Sequence, residues 1–555
     1  MTTQPTTSSS FDHQVDWLIV GSGTGSVVAA LVGKDAGLNV LIIEKEPHFG
    51  GTSAYSGGVA WIPNNPLMAR AGIKDTYERA REYLDAAIWY EGPATSASRR
   101  EAFLRSGPDA VAYLETKGMK FCRPEWWPDY HSDLPGGEQT SRSIQAEPFD
   151  LNELGEWKQR FAISKTAPLR FRMSELSQLI LMKRTWTARM FAVRFAGRLL
   201  SYKLRGQDMR GAGSAWQGRL LQIALREKIP IWLETPAVEL LTESGRVVGV
   251  KARREGRTIS IEARYGVLLN AGGFARNPAM RQRYGRQPVY AQCTNAAPGD
   301  TGEMIEAAQE LGAATDCMDE ALWGVSSLAP GGRFPQGALA SDGTPLPFGH
   351  HFDISLPHVI LVDQNGERFA NEAASYMEVC QGLYRRHDET GKGIPAWAII
   401  ESRHRSRYLW GNVLGTTPQS WFDTGYMKRA TSLQALANQC GIDANGLQRT
   451  VARFNQFCRS GIDEDFGRGA KAFDNCHGDP TVRPNPNVGA IEKPPFYAVA
   501  IVPGDVSTWG GVVCDEHARV LTKDGRVIDG LYATGTTTAS VCGRTYAGAG
   551  ASLGP

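Results

Sequence analysis

One stretch near the N-terminus, Asp16 to Glu44, restricts this chain more than any other. Asp16-Trp17-Leu18-Ile19-Val20 reads as a short buried strand and runs directly into Gly21-Ser22-Gly23-Thr24-Gly25-Ser26. Val27 to Val32 continues as a helix, and Asn39-Val40-Leu41-Ile42-Ile43 reads as a second strand ending on Glu44. A glycine turn between strand and helix, with an acid about twenty residues on, is the βαβ fingerprint of a dinucleotide fold. Gly21 permits the tight turn, Gly23 lets backbone approach a pyrophosphate, and Thr24-Gly25 open a helix whose free N–H groups face that charge. Glu44 can accept hydrogen bonds from ribose hydroxyls. Ser26, in the third glycine position, is small enough for close helix–strand packing. A purely structural glycine turn would leave Glu44 unexplained. By itself the stretch does not choose between FAD and NAD.

Lys45-Glu46-Pro47-His48-Phe49-Gly50-Gly51-Thr52-Ser53-Ala54-Tyr55-Ser56-Gly57-Gly58 follows, and a simple NAD domain has no need of this second glycine cluster. Gly51, Thr52 and Ser53 offer backbone amides and hydroxyls directly after the ribose carboxylate. This run, E-K-x-x-x-x-G-G-T-S and then S-G-G, resembles the FAD-binding signature of the fumarate reductase/succinate dehydrogenase flavoprotein superfamily. Trp61-Ile62-Pro63-Asn64-Asn65 narrows the likeness to the 3-ketosteroid Δ1-dehydrogenase branch. The resemblance implies FAD, and an α/β architecture in which a Rossmann-like, GR2-type FAD-binding domain carries an inserted α+β substrate-capping domain. It sets Lys45, Ser56, Gly57, Gly58, Ser552 and Leu553 against the flavin nucleotide, and Val238 beside the adenine. Ala271-Gly272 would mark the return of the sheet to FAD, and Gly530 to Gly535 the terminal FAD motif, with Thr536 where the family often has asparagine. The family continues past Gly554-Pro555 into a helix facing the flavin, and the sequence stops at its first turn. The expected layout is a disordered tail at 1–13, the FAD-binding domain at 14–291, the capping domain at 292–495 and a return to the first domain at 496–555. The loop from Phe121 to Gly137 is rich in Trp, Pro and Tyr, and Asp300 is expected to anchor the N-terminus of the next helix.

At 555 residues the chain is long enough for more than one core, and its net charge of +2 carries no nucleic-acid signature. The nine cysteines are scattered without a C-x-x-C pair, which suits a reducing compartment and excludes a c-type haem attachment. No metal site is assigned. No signal peptide or membrane-length apolar run is visible, so a cytoplasmic location is expected.

Composition shifts between Pro168 and Arg210. Arg170, Arg172, Lys183, Arg184, Arg189, Arg194, Arg198, Lys203, Arg205 and Arg210 face only Glu175 and Asp208, interleaved with Leu, Trp, Met, Phe and Val. The plainer reading, which composition favours, is a solvated helix pair with its apolar face packed inward. The other is an amphipathic helix lying in an anionic bilayer interface, a peripheral contact at the inner face of the membrane.

The chemistry is expected far downstream. Fumarate reductases carry arginines suited to a dicarboxylate. Here the corresponding motifs read Asn371-Glu372-Ala373-Ala374-Ser375-Tyr376 and Gly543-Arg544-Thr545-Tyr546, and Ser507-Thr508-Trp509-Gly510-Gly511 lacks the family's histidine. Loss of a bidentate arginine clamp argues against a carboxylate substrate, and tyrosines suit a neutral ketone. By resemblance, the Tyr546 hydroxyl and Gly550 N–H would hold a C3 carbonyl oxygen. Tyr376 would abstract the C2 proton, Tyr130 (just before Leu134-Pro135-Gly136-Gly137) would assist it, and FAD would take hydride from C1. A phenol pKa near 10 requires Tyr376 to be tuned downward or to relay its proton. The resemblance implies 1,2-dehydrogenation of 3-ketosteroids, with a quinone or another electron acceptor as partner. The alternatives are a sibling acting on the 4,5-bond or on a smaller cyclic ketone, and a membrane-bound flavin electron-transfer module without ketone turnover.

Overall fold

The computed structural model describes residues 11–164, 170–332, 338–411 and 413–555. An eight-stranded sheet is laid down around the first strand, His13–Val20. Val40–Ile43 pairs with it in parallel on one side, Leu18 beside Leu41, and Arg257–Leu269 on the other, Leu18 beside Val267. Val527–Ala533 extends the parallel run, with Val267 beside Leu531, and Ile231–Trp232 closes the opposite edge. Successive side chains of a strand point to opposite faces, so Ile19 and Ile42 enter one core while Leu18, Val20, Leu41 and Ile43 enter the other. Both faces are covered, which is why these strands read as continuous apolar runs. Ala237–Glu243 and Arg246–Arg254 form the expected antiparallel hairpin on this sheet.

A second, antiparallel sheet of five strands contains Ala321–Ser327, Phe496–Thr508, Ala396–Glu401, Val359–Val362 and Met427–Ala430. A small three-stranded sheet, with Ser143–Ala146 between Val59–Trp61 and Phe121–Cys122, holds Trp61. The aromatic core that includes Trp61, Tyr83, Tyr130, Trp323, Tyr384 and Tyr546 spans both halves.

Several boundaries differ from those expected. Residues 1–10 of the predicted tail lie outside the described residues, but Asp12 accepts hydrogen bonds from Ser260 N and Oγ (2.7 and 2.8 Å) and His13 already pairs with Ile261. The capping domain begins after residue 292: the helix Glu303–Glu310 packs Met304, Ile305 and Ala308 into a core of the first sheet. The return to the first domain comes later than 496, because Phe496–Thr508 is the central strand of the second sheet. Short loops cannot reveal which sheet an apolar strand joins. Asp300 does not cap a helix: Glu303–Glu310 starts after Gly302 without a side-chain cap. Within the basic stretch, 168 and 169 fall outside the described residues. The helix Trp186–Leu204 turns one aromatic edge inward, with Phe195 against Phe191 and Phe171, and a second apolar edge outward to solvent.

Candidate active site

One cavity of about 1650 Å³ runs from Glu44, at the end of the second strand, to Tyr376 in the capping domain. A pocket for one drug-sized ligand occupies about 300–1,000 Å³, so this volume suits a dinucleotide together with a second molecule. Every site residue expected from sequence lies on its wall. Gly21, Gly23, Thr24, Gly25, Glu44, Lys45, Gly51, Thr52, Ser53, Ser56, Gly57 and Gly58 line the nucleotide end, as do Val238, Ala271, Gly272 and Gly535. Tyr130, Tyr376, Tyr546 and Gly550 line the other end, with Ser552 and Leu553 also on the wall.

At the nucleotide end the helix Thr24–Asp35 starts at Gly23 with no side-chain cap and no acid in its first turn. Its leading N–H groups and the positive end of its dipole therefore favour an anion. Among the buried polar atoms on the wall that lack hydrogen-bond partners are Thr24 Oγ1 and Asp300 Oδ1. The Asp300 carboxyl is pushed up to about 6 by burial, against the pull of the Gly273 N–H, and its Oδ2 accepts from Ser507 Oγ (3.2 Å). Glu44 is pinned by Ser22 N (2.9 Å), Ser22 Oγ (2.6 Å) and Glu46 N (2.9 Å), which fixes its orientation at the wall. An uncapped helix, a held acid and orphaned hydroxyl and carboxyl oxygens fit the pyrophosphate and polyol of FAD. Lys45 lines the cavity, but its ammonium pairs with Glu303 at 2.9 Å.

At the far end three rings meet. The centroids of Tyr130 and Tyr376 are 5.8 Å apart, those of Tyr376 and Tyr546 5.5 Å, and those of Tyr130 and Tyr546 5.3 Å. Each ring is held by a different polar anchor. Tyr130 N donates to Ala547 O (3.1 Å), and the preceding Asp129 accepts from Trp61 Nε1 (2.7 Å), Arg142 Nη1 (2.7 Å) and Glu138 N (3.0 Å). Trp61 thus ties the W-I-P-N-N motif to the tyrosine loop. Tyr376 is the first residue of the helix Tyr376–Thr390. The turn before it is fixed by buried Glu372, which accepts from Leu361 N (3.1 Å), Arg368 Nη2 (2.7 Å) and Arg468 Nη1 (3.0 Å). Tyr546 follows Arg544, whose guanidinium pairs with Asp319 (2.8 Å) and Glu320 (2.9 Å). Gly550 N donates to the Tyr546 hydroxyl at 3.2 Å, so the two groups sit side by side on the cavity wall. Gly550 has φ +91°, and a Cβ there would lie 2.1 Å from Val59 O, so glycine is required.

Burial pushes the Tyr376 phenol well above its ordinary range, and the facing Tyr130 and Tyr546 add to it. Tyr130 is raised the same way, by burial and then by Tyr546. The Tyr546 phenol is also raised by burial, but Ser552, Tyr376 and the Gly550 N–H oppose the shift. Of the two routes open to Tyr376, downward tuning is not what the protein provides. The feature that favours negative charge there is the N-terminus of its own helix. His351, which sequence reasoning missed, lies 4.4 Å from the Tyr376 ring by centroids. Burial pushes its imidazole down to about 4, so it is neutral near pH 7. A signal for it existed: Gly324 interrupts an otherwise bulky buried strand, and a Cβ there would meet His351 Cε1 at 2.4 Å. Phe352 and Asn270 were also missed, and Trp509, two residues after the Ser507 that stands in the family's histidine position, lies 5.4 Å from Tyr546 by centroids. Among the described residues, the Lys and Arg on the cavity wall are Lys45, Arg99, Arg246 and Arg253, and they pair with none of the three tyrosines.

Comparison with known proteins agrees with this geometry. The family described as FAD binding domain matches residues 16–553. A 3-oxosteroid 1-dehydrogenase of Mycolicibacterium smegmatis is 37% identical over 98% of this chain and 95% of its own. A 4-oxocyclohex-2-ene-1-carboxylate 5-dehydrogenase of Sinomonas cyclohexanicum is 32% identical over 97% and 91%. The crystal structure of a 3-ketosteroid Δ1-dehydrogenase from Sterolibacterium denitrificans, in complex with 1,4-androstadiene-3,17-dione, has a TM-score of 0.90 and 35% identity, covering 98% of this chain and 97% of that one.

Proposed function

This chain belongs to the FAD binding domain family, in the branch that holds the 3-oxosteroid 1-dehydrogenases, and on that premise we propose that it desaturates the C1–C2 bond of 3-oxosteroids, 3-oxo-4-ene to 3-oxo-1,4-diene. The observation that carries this reading is the meeting of three tyrosines at an aromatic cavity end that no Lys or Arg lines among the described residues. When bound, FAD supplies the two-electron acceptor for the hydride leaving C1. The chain does the rest. The adjacent Tyr546 hydroxyl and Gly550 N–H are the donor pair for a C3 carbonyl oxygen, which would take the N–H now held by the hydroxyl as it gains negative charge on loss of its α-proton. Tyr376 takes the C2 proton. Because its phenol is raised, Tyr376 gives its own hydroxyl proton to Tyr130 as it takes the one from C2, and Tyr130 releases its proton in turn to water through the cavity. Trp127, Phe352 and Trp509 shield the reacting carbons from water.

The Sinomonas relative is named for a carboxylate, and a carboxylate buried at this end would need a cationic partner that the tyrosine cluster does not offer. A neutral ketone fits better. Electrons then pass to a quinone or another acceptor. Incubating FAD-loaded protein with a 3-oxo-4-ene steroid and an artificial acceptor should give, by gas chromatography–mass spectrometry, a product two hydrogens lighter with the new double bond at C1–C2. A 4,5-desaturated product would move the activity to the sibling class, and no conversion across a steroid panel would leave only electron transfer.

A further inference from the structure

The imidazole of His351 sits in a slot that two glycines leave open. At both Gly324 and Gly349, the three atoms nearest to an added Cβ all belong to this ring. At Gly324 they are Cε1 (2.4 Å), Nδ1 (3.2 Å) and Nε2 (3.4 Å); at Gly349 they are Nε2 (3.0 Å), Cε1 (3.4 Å) and Cδ2 (3.6 Å). Neither glycine has a positive φ, so the backbone does not demand one at either place. What the missing side chains make room for is the ring. The same ring meets Tyr376, 4.4 Å away between centroids and tilted by 37°.

The chain around His351 is held on both sides. His350 is fully buried and hydrogen-bonds to Ser327 Oγ through Nε2 (2.6 Å) and to Asp353 Oδ2 through Nδ1 (2.8 Å). Its backbone N–H donates to Val325 O (3.0 Å), Gly349 bridges Ser326, and Ser326 Oγ donates to Phe348 O (2.9 Å). Asp353 also accepts from Gly411 N (2.8 Å), and Trp410 stacks on the His350 ring at 4.4 Å. Ser327, His350 and Asp353 line up in the manner of a hydrolytic triad, but all three are buried and none lines the cavity. Their work is to fasten residues 348–353 to the strand Ala321–Ser327, so His351 cannot withdraw from Tyr376 by a shift of its backbone.

An imidazole is a costly filler for such a slot. Its Nδ1 is buried without a hydrogen-bond partner, a penalty that an apolar side chain would avoid. The ring lines the cavity beside Tyr376, and because burial keeps it neutral near pH 7 it adds no fixed charge next to the proton that moves. We propose that His351 is a positioning residue for the base: held in the glycine slot, it sets the Tyr376 ring at the angle from which its hydroxyl reaches the α-carbon of a bound ketone. The proposal rests on the reading of Tyr376 as that base.

The test uses FAD-loaded, full-length protein and stopped-flow flavin bleaching under saturating 3-oxo-4-ene steroid, with flavin content and steroid Kd measured alongside. His351→Ser should slow bleaching about tenfold, in the range of a small misplacement of a reacting group, while flavin content and Kd stay within about twofold. General loosening of the fold would not give that split. Gly324→Ala, whose methyl displaces the ring, should slow bleaching about thirtyfold. In Gly324→Ala/His351→Ser the methyl has no ring to displace, so the double variant should bleach at least as fast as His351→Ser alone. In a Tyr376→Phe background neither substitution should slow the residual rate further, because both act through that ring. Losses that multiply in either combination overturn the proposal, and so does His351→Ser bleaching at the wild-type rate. If Gly324→Ala does not fold, His351→Ser with and without Tyr376→Phe decides. Normal bleaching by Tyr376→Phe alone is a separate failure, which removes the base and this role of His351 with it.

Discussion

The two ends of the cavity are built in opposite ways. The nucleotide end is largely made by one contiguous stretch, where Gly21 to Ser26, Glu44 and Gly51-Thr52 arrive together because strand, turn and helix are consecutive. The tyrosine end takes one ring from a loop before the first sheet is complete, one from the capping domain and one from the C-terminal segment. Its geometry is held by buried ion pairs remote from the reacting atoms: Arg142–Asp129, Arg368–Glu372 and Arg544–Glu320. The first end holds its ligand by backbone and should fail when a side chain is added. The second works by side chains and should fail when a hydroxyl is removed.

The largest expected effect lies at the second end. Tyr376→Phe should lower kcat by about a thousandfold, within the range for removing a general base, while FAD content and steroid affinity change little. Stopped-flow flavin bleaching with a bound steroid would measure it, and near-normal bleaching would remove Tyr376 as the base. At the first end, Gly23→Ala should reverse the pattern. Its new Cβ would lie 2.4 Å from Asn270 Oδ1, forcing that side chain into the cradle. Flavin affinity should fall by about a hundredfold, comparable to a lost set of charge-assisted backbone bonds. Protein reloaded with excess FAD should then turn over normally; if it does not, the two ends are not separable.

A smaller effect tests the boundary between them. The Asp300 carboxyl, at about 6 instead of 3.8, binds more protons in the folded chain than in the unfolded one between those values. Stability of the flavin-free protein should therefore fall as pH rises from about 4 to about 6, by up to ~3 kcal/mol. Asp300→Asn should make that slope shallower in urea titrations, the rest coming from Asp129 and other raised carboxyls, and parallel pH profiles for the two proteins would contradict it. The smallest effect concerns positioning. Buried Glu320 receives Trp323 Nε1 (2.7 Å), Arg286, Arg544 Nη1 (2.9 Å) and Gln381 Nε2 (3.4 Å). Gln381 belongs to the helix that begins at Tyr376, and Arg544 precedes Tyr546 by two residues, so Glu320 ties two of the three rings. Glu320→Gln should lower kcat about fivefold with flavin loading intact; equal loss of flavin would reduce it to a general stability role.

How much was legible in the sequence follows the same division. The dinucleotide fold, its helix N-terminus and Glu44 could be read directly, because turn geometry and alternating burial act over neighbours a few residues apart. Ketone chemistry could be read only through the likeness of Tyr376 and Tyr546 to family positions, since nothing local marks a buried tyrosine as functional. Three things were decided by tertiary structure alone. Phe496–Thr508 is apolar enough for either sheet, and its pairing with Ala396–Glu401 chose the second. The Tyr376 phenol is raised rather than lowered, because burial and the two facing phenols disfavour its charged form. And the stripe from Trp186 to Leu204 faces outward because the helix already buries its other edge. Sequence sets what neighbouring residues do to one another; desolvation and the choice of partner depend on distant segments, and only the folded chain brings those together.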